Sequence, residues 1–373
     1  MASARPLPCP VTVLRGHTEA VNCVGFLSTG HLGSGALDGQ VKVWDLTSRR
    51  AQASWIAHSG QSVLSVCSMS IRKSVVTCGR DGYVRIWDTT QLGNNNSTET
   101  ALTSLQTGSR HFCNACGDIS QINPDTVVTP SSEESDVLVW DLRTGNREAT
   151  IKGNEGRGML SSLVMRSMVT GNDADIDHSA EHAGIGALPA VHNAMIVAGY
   201  EDGSICCYDT RTFKPLCDIK LHSEPVMALD MSPNGRRVAC GGASRRIVRC
   251  KFRQAPAAPP TMTSVFQSLL PTDSPTAATP TSSTPSLEPL ETYELPVEGT
   301  ACLRYRCDGR IFASAQWDGT IRIFDAHLRP LAVLRHHRQS VCGVDFAPQG
   351  GLLATSSKDT TIAIWDVFAD TVK

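Results

Sequence analysis

From Ser340 to Val367 apolar and polar residues alternate with a period of two, and the alternation breaks at two points. "SVCGVDFAP" alternates, "GGLLATSS" follows a glycine turn, and "TTIAIWDV" follows "KD". Such runs, rich in β-branched residues and bounded by Gly, Asp and Ser, predict short antiparallel strands joined by tight turns. The unit recurs along the chain. An acidic residue stands six positions before an aromatic one in Asp38–Trp44, Asp81–Trp87, Glu134–Trp140, Asp202–Tyr208, Asp318–Phe324 and Asp359–Trp365. A seventh copy, Ser244–Cys250 in "ASRRIVRCK", keeps the spacing without either residue type. Seven copies of a strand–turn–strand unit predict an all-β, seven-bladed propeller of four-stranded blades spanning residues 1–373 as one domain.

The ends of the chain predict how the ring closes. "PVTVLRGH" (Pro10 to His17) is a strand with no earlier blade to join, and the last copy ends at "IWDVFADTVK" one strand short. Pairing the N-terminal strand with the last blade completes it and removes an open sheet edge. Three segments interrupt the rhythm: "TTQLGNNNSTETALTS" after Trp87, a loop insertion over 168–193 in the fourth blade, and a Pro/Ser/Thr-rich insertion over 254–289. The last has too little apolar surface to offset ordering entropy and reads as disordered. Its Ser274-Pro, Thr279-Pro and Thr284-Pro steps are candidate sites for proline-directed phosphorylation. All three segments join first to second or third to fourth strands, so they emerge on one face and leave short turns on the other. The short-turn face, preformed and rigid, is the expected docking side.

The pattern resembles the WD40 family of β-propellers, and the resemblance covers nearly the whole chain. In that family a His, a strand Ser or Thr, a turn Asp and a Trp form a buried hydrogen-bonded tetrad. By position, the resemblance implies tetrads His17–Ser34–Asp38–Trp44, His58–Thr77–Asp81–Trp87 and His337 (or His336)–Thr355–Asp359–Trp365, with His222 heading a fourth, degraded copy. A buried carboxylate survives only with donors around it, so these His and Asp residues read as structural.

Composition narrows the function. With 34 basic and 36 acidic residues the net charge is -2, which favours neither nucleic acid nor a membrane surface. The N-terminal "MASARPLPCP" has no apolar core of a secretory signal, and no run approaches the roughly 18 apolar residues of a membrane span. These features predict a soluble intracellular chain. Several of the 14 cysteines, such as Cys23, Cys67, Cys240 and Cys342, sit in apolar runs and read as small buried hydrophobes. The polar set His111, Cys113 and Cys116 lacks the second pair that a zinc site needs. No phosphate loop, nucleophile elbow or His-Glu-x-x-His motif occurs, and pairs such as Glu133–Glu134 sit in turns where shifted pKa values are hard to acquire. No enzyme activity, cofactor or metal is expected. A basic run in the fifth copy places Arg245, Arg249, Lys251 and Arg253 on one side of an outer strand, a solvated charged face by its pattern.

Two further resemblances bear on partners. "WDLR" (Trp140 to Arg143) and "YDTR" (Tyr208 to Arg211) resemble the motif of substrate receptors of cullin-four ubiquitin ligases, which implies exposed Arg143 and Arg211. "VAGYEDGS", "HSEPVMALD" and the run from Ala313 to Asp359 resemble the ASTRA-associated protein 1 family, also called G-protein β-subunit-like protein 1. That resemblance implies a non-enzymatic scaffold, a monomeric propeller within a complex. Its implied partners are the Tel2–Tti1–Tti2 co-chaperone, PI3K-like kinases and ASTRA subunits linked to chromatin, in nucleus and cytoplasm. A heterotrimeric Gβ role would need a long N-terminal helix, and only about ten residues precede the first strand. In the fourth copy, Ala198 replaces the strand Ser or Thr and "GNEGRGM" offers no His, so that blade is expected to lack a tetrad and rely on apolar packing. Tyr200 and Glu201 in its turn are candidate partner contacts.

Overall fold

The computed structural model describes residues 8–69, 74–88, 101–113, 116–117, 125–169, 191–253 and 286–367. Among them lie 28 strands in seven four-stranded antiparallel sheets. Blade I holds β2 (Val21–Phe26), β3 (His31–Ala36), β4 (Gln40–Asp45) and β5 (Arg50–Ile56). Blade II holds β6 (Val63–Met69), β7 (Ser74–Gly79), β8 (Tyr83–Asp88) and β9 (Thr103–Gln106). Blade III holds β10 (Cys116–Gly117), β11 (Thr126–Pro130), β12 (Val137–Asp141) and β13 (Asn146–Ile151). Blade IV holds β14 (Leu160–Val169), β15 (Val191–Tyr200), β16 (Ser204–Asp209) and β17 (Pro215–Lys220). Blade V holds β18 (Ala228–Met231), β19 (Arg237–Gly241), β20 (Arg246–Arg253) and β21 (Ser286–Glu294). Blade VI holds β22 (Thr300–Tyr305), β23 (Ile311–Gln316), β24 (Thr320–Asp325) and β25 (Pro330–Arg335).

Blade VII is built from both ends of the chain. Its strands β26 (Val341–Phe346), β27 (Leu352–Ser357) and β28 (Thr361–Asp366) are completed by β1 (Thr12–Arg15). The register runs from Thr12 opposite Ile364 to Arg15 opposite Thr361. The ring therefore closes on the N-terminal strand, and no blade is left with an unpaired partner edge at the closure.

The core is divided into seven apolar clusters, and each is a seam between adjacent blades. This explains why middle strands read as continuous apolar runs. In β16, Ile205 and Cys207 pack toward blade V while Cys206 and Tyr208 pack toward blade III. Side chains alternate faces along a strand, and here both faces meet a neighbour. Close approach between inner strands also sets residue size. A Cβ at Gly25 in β2 would collide with the Val66 carbonyl of β6.

Several boundaries move. Residues 286–289, expected in the disordered insertion, form the start of β21, where Leu287 is buried against the blade IV–V seam. Residues 168–169 and 191–193 belong to β14 and β15, not to a loop, and Thr103 and Ser104 belong to β9. The remaining parts of the three insertions, 89–100, 170–190 and 254–285, lie outside the described residues, as do Ser274, Thr279 and Thr284. The basic strand is also placed differently. It is the third strand, β20, not the outermost, and the outer β21 meets it with acid. Arg249 is buried and bonds Glu291, Arg253 Nε lies 2.7 Å from Glu288, and Arg245 lies 3.6 Å from Glu298. These charges are matched across the ladder.

Candidate functional site

Turns between second and third strands, with the links from each blade to the next, make up one face of the disc. The segments 89–100, 170–190 and 254–285 join strands three to four or one to two and attach at the other face. The short-turn face carries the tetrad residues, and two networks are complete there. His58 Nδ1 lies 2.9 Å from Asp81, its Nε2 lies 2.9 Å from Thr77 Oγ1, and Trp87 Nε1 donates to the same hydroxyl at 2.9 Å. In blade VII the corresponding distances are 3.0 Å to Asp359, 2.9 Å to Thr355 and 3.1 Å from Trp365. In blade VII a neutral imidazole fits this chain: His337 Nδ1–H donates to the carboxylate, and Nε2 accepts from the threonine hydroxyl. Burial holds the His337 pKa below its ordinary value, against the pull of Asp359. Burial also pushes the Asp81 and Asp359 carboxyls up, but their donors prevail and both pKa values are lowered. Those donors are His58 and Arg85 for Asp81, and Thr361, the Arg338 backbone and His337 for Asp359. Of the candidates His336 and His337, His337 takes the tetrad position, while His336 lies edge-on to Trp365.

The blade I network stops at three residues. His17 Nε2 meets Ser34 Oγ at 2.7 Å and Trp44 Nε1 donates to that hydroxyl at 2.8 Å, but His17 Nδ1 is buried with no hydrogen-bond partner. Asp38, assigned to this tetrad by position, accepts the Gln40 N–H at 3.0 Å instead. Burial, reinforced by Lys42, lowers the His17 pKa to about 4.

The other blades replace the tetrad in four ways. In blade III, Trp140 Nε1 donates to Thr129 Oγ1 at 2.9 Å, and the buried turn carboxylate is Asp136, which holds Lys152 Nζ at 2.6 Å. Glu134, paired with Trp140 by spacing, is exposed because the blade III turn is longer. In blade IV the phenols of Tyr200 and Tyr208 bond at 2.8 Å. Arg157 lies over the Tyr200 ring at 5.4 Å and pairs with Asp218. This corrects two expectations. The blade has its own polar network, and Tyr200 is wholly buried and faces no partner; Glu201 remains exposed. In blade V, His222 Nε2 lies 3.4 Å from Cys240 Sγ and its Nδ1 lies 3.3 Å from Ser244 Oγ. Burial lowers its pKa to about 4. In blade VI the rings of Phe312 and Phe324 stack at 5.2 Å, flanked by Tyr305 and Tyr293.

A cavity of about 1150 Å³ runs down the axis between the inner strands. Toward the insertion face it is crossed by a chain of charges that sequence reasoning missed. Arg166 Nη2 lies 3.3 Å from Asp230, and Arg304 reaches Asp230 at 3.9 Å and Asp345 at 3.2 Å. Each carboxylate also accepts an N–H from the next inner strand: Tyr305 N to Asp230 at 2.7 Å, and Phe26 N to Asp345 at 2.8 Å. Carboxylates engaged on both sides tie blades together. The signal available was that Asp230, Arg304 and Asp345 occupy one register position of successive inner strands, with alternating sign. At the other mouth, Leu37, Phe112, Met159, Met227 and Trp317 are exposed. Arg143 lies on the insertion face, exposed, with Nη2 3.3 Å from Asp141; Arg211 is exposed on the same face.

Comparison with known families settles the class. The family profile described as "WD domain, G-beta repeat" matches residues 8–45, 50–88, 213–248, 289–325 and 328–366. The chain belongs to the WD-repeat family. It is similar over its whole length to the "Guanine nucleotide-binding protein subunit beta-like protein 1" of Mus musculus, 27% identical over 97% of both chains. The "ASTRA-associated protein 1" of Verticillium alfalfae is 24% identical over 98% of this chain and 95% of its own. That of Schizosaccharomyces japonicus is 25% identical over 97% and 100%. The longest gap in the WD-repeat match, residues 89–212, covers blade III and most of blade IV, where no tetrad His is present among the described residues and the blade III turn is longer than its counterparts.

Proposed function

We propose that this WD-repeat scaffold is of the ASTRA-associated type: it has no catalytic activity and works with the Tel2–Tti1–Tti2 co-chaperone in maturing PI3K-like kinases, in nucleus and cytoplasm. The observation that carries the reading is end-to-end similarity, with 97% of this chain aligned to 97% of one such relative and 100% of another. A likeness confined to the repeats would support only a propeller; this one includes the divergent blades III and IV. The geometry is compatible with a scaffold, since the buried His and Asp side chains are engaged in holding blades. Affinity purification of the tagged full chain followed by mass spectrometry tests it. Recovery of Tel2/Tti-type proteins and large PI3K-like kinases is expected. Their absence, with a cullin-four adaptor recovered in their place, would overturn the reading in favour of a substrate receptor acting through Arg143 and Arg211.

A further inference from the structure

Five of the large apolar side chains that the protein exposes converge on one place. Leu37, Phe112, Met159, Met227 and Trp317 border the cavity mouth on the short-turn face. They come from five separate connections, β3–β4, β9–β10, β13–β14, β17–β18 and β23–β24. Exposed apolar side chains gathered around one opening mark a binding site more often than an accident of composition. Two of the five are held in place. The Trp317 indole lies over Gly299, where any Cβ would collide with it. Its backbone N–H donates to Gly299 O at 3.0 Å, and its carbonyl accepts from Ser340 Oγ at 2.8 Å. Phe112 carries the Arg80 guanidinium 4.4 Å from its ring centroid. Anchors ordered beforehand cost less to immobilise when a partner binds.

The rim carries charges of both signs, and those that line the mouth itself are uneven, Arg80 and Lys358 against Glu201. Arg338 and Lys358 of blade VII and Arg80 and Arg110 beside blade II bring positive charge to one side. Glu133, Glu134, Glu201 and Glu224 bring negative charge around blades III to V, among the cations Lys152, Arg245 and Arg246. Lys358 and Arg80 line the mouth from blades VII and II, with Leu37 of blade I between them, and among the described residues neither forms an ion pair. Glu201 lies across the opening, where its Oε2 accepts the Met159 N–H at 3.1 Å.

We propose that this mouth binds an acidic segment of a partner protein, its carboxylates against Arg80 and Lys358 and its bulky apolar side chains against Trp317 and Phe112. The inference rests on the scaffold reading and gives it a place and a chemistry. Two cations at the mouth suit a peptide carboxylate cluster. A nucleic acid would need a continuous basic track, which two cations do not make.

The test uses the full chain and its own tryptophan fluorescence. Trp317 is 41% exposed and the other five tryptophans are 8% or less, so acrylamide quenching reports on Trp317. The probes are a labelled peptide alternating Asp or Glu with Leu or Phe, its counterpart with Lys for every acid, and a single-stranded oligonucleotide. The acidic peptide is expected to shield Trp317, and the other two are not. Arg80→Glu with Lys358→Glu is expected to weaken binding at least about tenfold, and Trp317→Ala to remove it, with far-UV circular dichroism unchanged. Equal shielding by the lysine peptide or the oligonucleotide, or unchanged affinity in both variants, overturns the proposal. Failure of the acidic peptide to bind while co-chaperone proteins still copurify overturns the mouth and leaves the scaffold reading standing. Peptide binding without those proteins does the reverse.

Discussion

In blade VII a chain of hydrogen bonds runs from the Trp365 indole through Thr355 and His337 to Asp359 at the turn. In blade IV the position of Thr355 is Ala198, that of Trp365 is Tyr208, and two phenols bond to each other instead. The loss of a hydroxyl at Ala198 is matched by a gain in size two residues on. Tyr200 stands where blade VII has Ser357, and its ring shares a strand face with Ala198. Both solutions fill a seam between blades and leave the large ring's polar atom bonded. What these two blades share is a packed, hydrogen-bonded seam, and the His–Thr–Asp–Trp chain is one way to make it.

If so, truncating either ring has the same large effect. Trp365 and Tyr208 each belong to a seam cluster and are almost wholly buried. Trp365→Ala and Tyr208→Ala are each expected to cost about 3–5 kcal/mol, measured as a fall in the urea midpoint at unchanged slope. A much smaller loss for Tyr208→Ala would show that blade IV is a passive filler rather than an equal solution.

Acid separates the two designs next. The folded-state pKa values of His17 and His222 are lowered from 6.5 to about 4, and that of His337 is lowered too. A group depressed on folding contributes its stability above the unfolded value and loses it as pH falls toward the folded one. Between about pH 6.5 and 4 each of His17 and His222 therefore withdraws on the order of 2–3 kcal/mol. Asp81 and Asp359, also lowered, add a further loss below their unfolded value near pH 3.8. Burial raises the phenols of Tyr200 and Tyr208 instead, so nothing in that pair titrates on the acid side. Hydrogen exchange at pH 7 and pH 5, corrected for intrinsic rates, is expected to show blades I, V and VII opening before blade IV. Uniform loss across the ring would refute the distinction.

The ring itself was legible because its signal repeats. Six polar–aromatic pairs at one spacing, with an orphan strand at the N-terminus, carry blade number and closure. Features that occur once, or that only the closed ring brings together, were not. Asp136 was hidden by a turn longer than its counterparts, and Asp38 holds the expected position while its carboxylate turns to Gln40. Tyr200 read as a turn residue because a turn sequence follows it, although Ala198 on the same face left room for a large ring. Arg249 looked unmatched because Glu291 lies beyond the Pro/Ser/Thr-rich insertion. The five apolar residues of the cavity mouth are isolated in sequence, one per connection, and only the closed ring makes a surface of them.

Single hydroxyls give the finest test. Thr355 Oγ1 lies within bonding distance of His337 Nε2, Trp365 Nε1 and the Ala363 carbonyl, so Thr355→Val leaves both His337 Nε2 and Trp365 Nε1 buried without a bond, and a loss of about 2 kcal/mol follows. Tyr200→Phe is milder. The ring, its seam contacts and the Arg157 guanidinium above it all remain, and only the phenol bond to Tyr208 and the long 3.4 Å contact to Ser135 O disappear. Tyr208 keeps a neighbour in the Cys206 thiol. The expected loss is about 1 kcal/mol, read in the same urea titrations. Equal costs for the two variants would mean that the phenol pair is as strongly coupled as the tetrad. A null result at Tyr200 would mean that blade IV holds by packing alone.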